Sequence, residues 1–326
     1  MDKPHVFITR RIPDIGLEML SEHVEIDLWE EELPPAYDVL RERTQRADGL
    51  LCLLTDRIDK ELIENSARLR VISQYAVGID NIDIDSATKR KIPVGHTPGV
   101  LTDATADFTW ALLMSAARRV VEADAFTREG KWKTWGPTIL LGMDVARSTL
   151  GIIGFGRIGQ AVARRAKGFD MRILYYDNKR LPEMEETLGV EYVSLETLIK
   201  EADFISLHVP LTPNTYHLIG EKEFSMMKKE AILINTARGS VVDQEALYHA
   251  LKERKIRGAA IDVTDPEPIP SNSPLLQLPN LIITPHIASA SVQSRTQMAV
   301  MAAENLIAGL QGKRLPFCAN PQVYEK

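Results

Sequence analysis

The chain has 326 residues, 44% of them apolar and 26% charged, with a formal net charge of −6. That length suits two hydrophobic cores, the mixture excludes a disordered chain, and the acidic balance gives no pull toward nucleic-acid phosphates or anionic lipid. An acidic protein that binds an anion must supply positive charge locally, so single arginines carry information.

In the first hundred residues short apolar runs alternate with helical patterns. His5–Thr9 reads as a strand, Asp14–Glu22 as a helix, Val24–Leu28 as a strand, Pro35–Gln45 as a helix and Gly49–Leu53 as a strand. Two more strands are expected at Arg70–Ser73 and Ile92–Val94. Such alternation implies a parallel sheet covered on both faces, with ligands at the carboxyl ends of its strands. One long helix is then expected from Thr102 to Glu129, with capping candidates Thr102 and Asp103. The irregular segment 130–137 holds Trp132 and Trp135, which read equally well as core plugs or as contacts to a partner or ligand. From Ser148 the strand–helix rhythm restarts and runs to Pro285, and Ser291–Leu310 closes the pattern as an amphipathic helix.

Cys52 and Cys318 lie far apart, with no metal-ligand spacing and no disulfide framework; they read as small hydrophobes in a reducing compartment. Met1-Asp2-Lys3-Pro4 leads into a β-like run without an apolar leader, and no apolar stretch reaches the ~18 residues that span a bilayer. The expected location is cytoplasmic, with no metal.

The segment after Ser148 carries the first chemical signal. Leu150–Ile153 is a buried strand, followed by Gly154-Phe155-Gly156-Arg157-Ile158-Gly159 and a helical run from Gln160 to Lys167. Between a strand and a helix, this spacing is that of a dinucleotide turn. The first glycine permits the turn, the second lets the backbone approach a pyrophosphate, the third lets the helix pack closely, and N–H groups at the helix start face the phosphates. The next strand, Met171–Tyr176, ends in Asp177, where a ribose 2′-hydroxyl needs an acceptor. Asn178 follows, and then Lys179 and Arg180, two cations that offer a phosphate clamp.

Three later strands are each followed by one polar candidate: Arg238, Glu267 and His286. Taken separately, the bland readings come first: Arg238 as a surface cation, Glu267 as a solvated loop acid and His286 as a histidine near a helix. Downstream of a dinucleotide turn they supply a carboxylate anchor, an orienting acid and a proton donor, the parts needed to reduce a 2-oxo acid.

Thr236-Ala237-Arg238-Gly239, Asp262-Val263…Glu267-Pro268, Thr284-Pro285-His286-Ile287-Ala288-Ser289 and Val77-Gly78-Ile79-Asp80-Asn81-Ile82-Asp83 resemble, in order and over essentially the whole chain, the signatures of D-2-hydroxyacid dehydrogenases. Leu51–Leu54, Val100–Asp103, Trp132…Trp135…Pro137 and the Thr264 variant of the Asp262 motif resemble the glyoxylate/hydroxypyruvate reductases among them.

The resemblance implies an α/β fold in which a Rossmann-type NAD-binding domain (99–287) is inserted into a smaller flavodoxin-like substrate domain (1–98 plus 288–326). It implies a homodimer formed through a helix and arm at 102–145. It implies that Arg238 binds the substrate carboxylate with the N–H groups of Val77 and Gly78, that His286 donates the proton, and that Glu267 holds the imidazole's other nitrogen. Leu53 would wall the substrate pocket, and Trp135 would line the neighbour's. Thr105 and Asp262 would meet the nicotinamide end, and Val209, Pro210, Thr215, Thr236, Ala237 and Ala288 would complete the cofactor contacts. Small 2-oxo acids are then the expected substrates. NADH is the expected cofactor, because a 2′-phosphate would meet the Asp177 carboxylate; NADPH stays possible through Lys179 and Arg180.

Rivals stay open. D-lactate and phosphoglycerate types share the fold, although many of the latter carry a further regulatory domain. A phosphite type places a lysine where this chain has Tyr75-Ala76. A corepressor-like NADH sensor keeps the same Arg, Glu and His but turns over poorly.

Overall fold

The computed structural model describes residues 3–325. The chain divides into two units, Met1–Leu101 with Ala290–Lys326, and Thr102–Ser289.

The first unit runs β1 (His5–Ile8), α1 (Asp14–His23), β2 (Glu25–Leu28), α2 (Tyr37–Arg46), β3 (Gly49–Cys52), α3 (Lys60–Asn65), β4 (Val71–Gln74), α4 (Ile84–Lys89) and β5 (Val94–Gly95). Its strands are all parallel in the order β2-β1-β3-β4-β5, the flavodoxin arrangement. β3 and β4 are buried along their whole length, as strands covered on both faces must be. The C-terminal helix, Val292–Leu310, covers one face. Ser291 caps it through the Ser294 N–H at 3.1 Å. Asn305 donates to the His96 carbonyl and accepts from the Phe317 N–H, each at 3.0 Å. Gly309 permits the close approach: a Cβ there would lie 2.5 Å from Val71. This packing is why a segment distant in sequence belongs to the N-terminal sheet.

The second unit runs α5 (Thr102–Ala117), α6 (Val120–Arg128), β6 (Thr149–Ile153), α7 (Arg157–Ala166), β7 (Arg172–Tyr176), α8 (Pro182–Leu188), β8 (Glu191–Tyr192), α9 (Leu195–Glu201), β9 (Phe204–Leu207), α10 (Glu221–Met226), β10 (Ile232–Asn235), α11 (Gln244–Lys252), β11 (Gly258–Ile261) and β12 (Leu281–Ile283). The parallel sheet has the order β12-β11-β10-β9-β6-β7-β8. Counted from β6, this is the doubly wound dinucleotide order with one strand added, and the order reverses between β6 and β9. Trp110 of α5 fixes the helix layer, stacking on Phe169 at 4.8 Å and donating to the Val162 carbonyl at 3.1 Å.

Two expectations about α5 need correction. The single helix to Glu129 is broken at Arg119, which is left-handed at φ 55°. The Ala117 carbonyl, which would have carried the helix onward, accepts the Met143 N–H at 2.8 Å. Gly142 sits so close that a Cβ would lie 2.4 Å from that oxygen. The returning arm thus ends α5. Asp103 is not a cap either: its carboxylate pairs with Arg165 of α7 at 3.0 Å, beside an Asp107–Arg165 pair at 2.7 Å. Among the described residues, no helix is long and apolar enough to cross a membrane.

Candidate active site

The glycine turn leaves β6 where the sheet order reverses. Gly154 has φ 92°, and a Cβ there would lie 2.6 Å from the His208 backbone; one on Gly159 would lie 2.2 Å from the Gly154 carbonyl. Both glycines are demanded by the protein's own packing. Gly156 differs, because nothing lies within 4 Å of where its Cβ would be. Its small size leaves open space above the turn, and no side chain caps the α7 N-terminus that begins there. Open space over unsatisfied N–H groups at a helix start is what a pyrophosphate requires. Gly156 and Arg157 are exposed, and Ile158 is half-buried.

Phe155 lies beneath the turn, stacked on Tyr175 at 4.2 Å, and its N–H donates to Asp177 Oδ2 at 2.7 Å. Asp177 Oδ1 accepts the Lys179 N–H at 3.3 Å, so the acid is seated at the end of β7 with Asn178 and Lys179 exposed beside it. Arg180 pairs with both oxygens of Glu185 at 2.8 Å each. After β9, Thr215 staples the Val209–Pro210 segment: its hydroxyl donates to the Pro210 carbonyl at 2.6 Å and accepts the Thr212 N–H at 2.8 Å. Burial pushes His208 down to about 3, so this ring, 2.8 Å from Ser206 Oγ, is neutral and adds no charge to the turn. These residues fit a bound dinucleotide.

The three polar candidates follow adjacent strands β10, β11 and β12. Asn235 at the end of β10 shapes the Arg238 loop, accepting the Ala237 N–H at 3.0 Å and donating to the Arg238 carbonyl at 2.9 Å. Gly239 must be glycine, since a Cβ there would lie 2.0 Å from the Thr264 carbonyl. That contact ties the Arg238 loop to the loop carrying Glu267. Arg238 is half-buried. Glu267 Oε1 lies 2.5 Å from His286 Nδ1, with side-chain exposures of 37% and 25%. The structure therefore brings Glu267 and His286 together, with the carboxylate on Nδ1 of the ring.

His286 is itself in the left-handed region, at φ 54°. Asp262, expected at the nicotinamide end, holds that turn. It is 1% exposed and accepts the Thr284 hydroxyl at 2.6 Å and the N–H groups of Ile287 at 2.9 Å and Ala288 at 2.7 Å. Thr105 is buried, and Thr236 meets Thr109 Oγ1 at 3.0 Å.

The substrate candidates of the first unit sit on a polar relay that the sequence reading missed. Cys52 Sγ donates to Gln74 Oε1 at 3.1 Å. Gln74 Nε2 donates to the Gly78 carbonyl at 3.3 Å and to Asn81 Oδ1 at 2.7 Å. Asn81 Nδ2 donates to the carbonyls of Leu53 at 3.0 Å and Asp56 at 2.8 Å. Leu53 and Gly78 are thus joined by one chain of hydrogen bonds, while the Val77 carbonyl lies 3.1 Å from His96 Nδ1; all three candidates are half-buried. The available signal was the polar pair Ser73-Gln74 closing a strand that begins with Val71-Ile72. Trp132 and Trp135 are 59% and 79% exposed.

The model of the D-isomer specific 2-hydroxyacid dehydrogenase NAD binding domain matches residues 110–288. The chain is 59% identical to a glyoxylate reductase of Korarchaeum cryptofilum (strain OPF8), over 98% of this chain and 97% of that one. A solved protein from Thermus thermophilus superposes with a TM-score of 0.92 at 47% identity, covering 97% of this chain and 99% of that one. An NADPH-dependent glyoxylate/hydroxypyruvate reductase from Sinorhizobium meliloti, solved with NADP and malonate, gives 0.87 at 30% identity, over 98% of each chain. This chain belongs to the D-isomer specific 2-hydroxyacid dehydrogenases and is an NAD(P)-dependent dehydrogenase.

Proposed function

We propose that the enzyme reduces glyoxylate and hydroxypyruvate to the 2-hydroxy acids, and that the Glu267–His286 pair handles the proton. The carrying observation is the 2.5 Å contact between Glu267 Oε1 and His286 Nδ1. A carboxylate at Nδ1 fixes the ring and leaves Nε2 to protonate the carbonyl oxygen. The bound nicotinamide supplies the hydride. Arg238 offers a planar fork of donors for the substrate carboxylate, and Val77 and Gly78 add backbone N–H groups. Leu53, with Trp135 of a partner copy, limits bulk beside the reacting carbon.

NADH is the proposed preference, because Asp177 is anchored at the end of a rigid strand and a 2′-phosphate would meet its charge. A homodimer is proposed on the apolar arm: Val120, Val121, Trp132, Trp135, Ile139 and Leu141 are all exposed in the single chain. The test is kcat/KM for glyoxylate, hydroxypyruvate, pyruvate and 2-oxoisocaproate with NADH and with NADPH. Good turnover of the first two with NADH is expected. A preference for 2-oxoisocaproate overturns the substrate reading, and NADH binding without turnover favours a sensing role.

A further inference from the structure

We propose that Glu185 is a specificity-determining residue, which keeps the cofactor loop's arginine, Arg180, from serving a 2′-phosphate; this rests on the NADH reading above. In sequence the loop after β7 looks self-contradictory, an acid that excludes a 2′-phosphate followed closely by cations that would welcome one. The structure resolves the contradiction through the Arg180 pair. Nε and Nη2 of Arg180 donate to Oε1 and Oε2 of Glu185, each at 2.8 Å. This side-on, two-pronged geometry is the one with which arginine grips a phosphate, so the two partners compete for the same edge of the guanidinium.

An exposed ion pair alone is worth little, but the acid here is not a loose surface group. Its side chain is 18% exposed against 61% for Arg180. Glu185 Oε1 also accepts the hydroxyl of Tyr175 at 2.9 Å, and that phenol accepts the Leu181 N–H at 2.8 Å. Tyr175 is fully buried and stacks on Phe155 of the glycine turn, whose N–H is bonded to Asp177. Glu185 is therefore a fixed post, built on the same buried aromatic pair that seats the turn, and Arg180 is the exposed partner tied to it. Exclusion of a 2′-phosphate then has two parts: Asp177 repels it, and Glu185 withholds the cation that would compensate.

The experiment measures dissociation constants for NADH and NADPH by nicotinamide fluorescence, and for 2′,5′-ADP by calorimetry. It compares wild type, Asp177→Ala, Asp177→Ala/Glu185→Gln, and that double variant with Arg180→Ala added; thermal midpoints confirm that each is folded. Glutamine keeps a partner for the Tyr175 hydroxyl while removing the charge that binds Arg180. Relative to Asp177→Ala, the double variant should bind NADPH and 2′,5′-ADP ~10-fold more tightly, the usual scale of one charge-assisted hydrogen bond. NADH affinity should stay within about twofold, and adding Arg180→Ala should cancel the gain. Equal NADPH affinity in Asp177→Ala and the double variant, or a gain that survives Arg180→Ala, overturns the role of Glu185. A wild type that binds NADPH more tightly than NADH overturns the NADH reading instead, and the two failures are distinguished by that column alone.

Discussion

Two buried aspartates support the two halves of the proposed chemistry, and they are housed differently. Asp262 holds the His286 turn with three donors shared over both oxygens. Asp56 holds the Leu53 loop with two donors on one oxygen: the Thr9 hydroxyl at 2.5 Å and the Leu53 N–H at 2.7 Å. Its Oδ1 is buried without a hydrogen-bond partner among the described residues. Burial accordingly pushes the Asp56 carboxyl above its ordinary value of 3.8, outweighing those hydrogen bonds and the charge of Arg10. The lesson is that a buried carboxylate is a good brace where backbone N–H groups converge on both oxygens, and a costly one where they do not. The His286 turn received the better brace.

The comparison implies a division of labour that mutants can break. His286→Ala should show the largest effect, lowering kcat by ~10²–10⁴ while KM stays within a few-fold, since general acid catalysis is worth that much. Asp262→Ala comes next. It strands the Ile287 and Ala288 N–H groups, at ~1–3 kcal/mol for each unsatisfied donor. Urea unfolding should show a loss of that size, and kcat should fall as the His286 turn relaxes. Asn81→Ala should act on the other side, raising KM for glyoxylate by ~10-fold, the scale of one lost hydrogen-bond partner, while the NADH dissociation constant stays put. A kcat loss with unchanged KM would show that the relay does not serve the anchor.

Asp56→Asn is the smallest and carries a pH signature. The raised value means that the folded state disfavours the charged carboxylate, so wild type loses stability as pH rises from the ordinary value of 3.8 to the raised one and does not regain it. Asparagine can still accept from Thr9 and Leu53 without the charge. Its melting midpoint should exceed that of wild type by about 2–4 °C at neutral pH, the shift for roughly 1 kcal/mol. The gap should close near pH 3. A gap independent of pH would mean that Asp56 is not the group responsible.

The fold was legible because buried parallel strands are apolar runs, and the glycine turn was legible because Gly154 and Gly159 answer backbone demands while Gly156 keeps the space above the turn open. Arg238, Glu267 and His286 were legible as polar residues placed just after such runs. What escaped notice depends on partners that no local pattern names. The end of α5 is set by the Met143 N–H arriving from the arm. The restraint on Arg180 needs the buried Tyr175 phenol to make Glu185 a fixed acceptor. Gln74 and Asn81 are ordinary polar residues until the loops around Leu53 and Gly78 are seen to share them. Asp262 was singled out as a cofactor contact, and its bracing of the His286 turn emerged only from three donors converging from a later segment.

The central claim, that the Glu267–His286 contact performs the proton chemistry, is tested most directly by kcat for glyoxylate reduction in Glu267→Gln. Glutamine keeps the size of the side chain and removes the charge beside Nδ1. The expected result is a kcat lower by at least ~10-fold with KM nearly unchanged, a loss smaller than that of His286→Ala. A Glu267→Gln enzyme with wild-type kcat would contradict the claim.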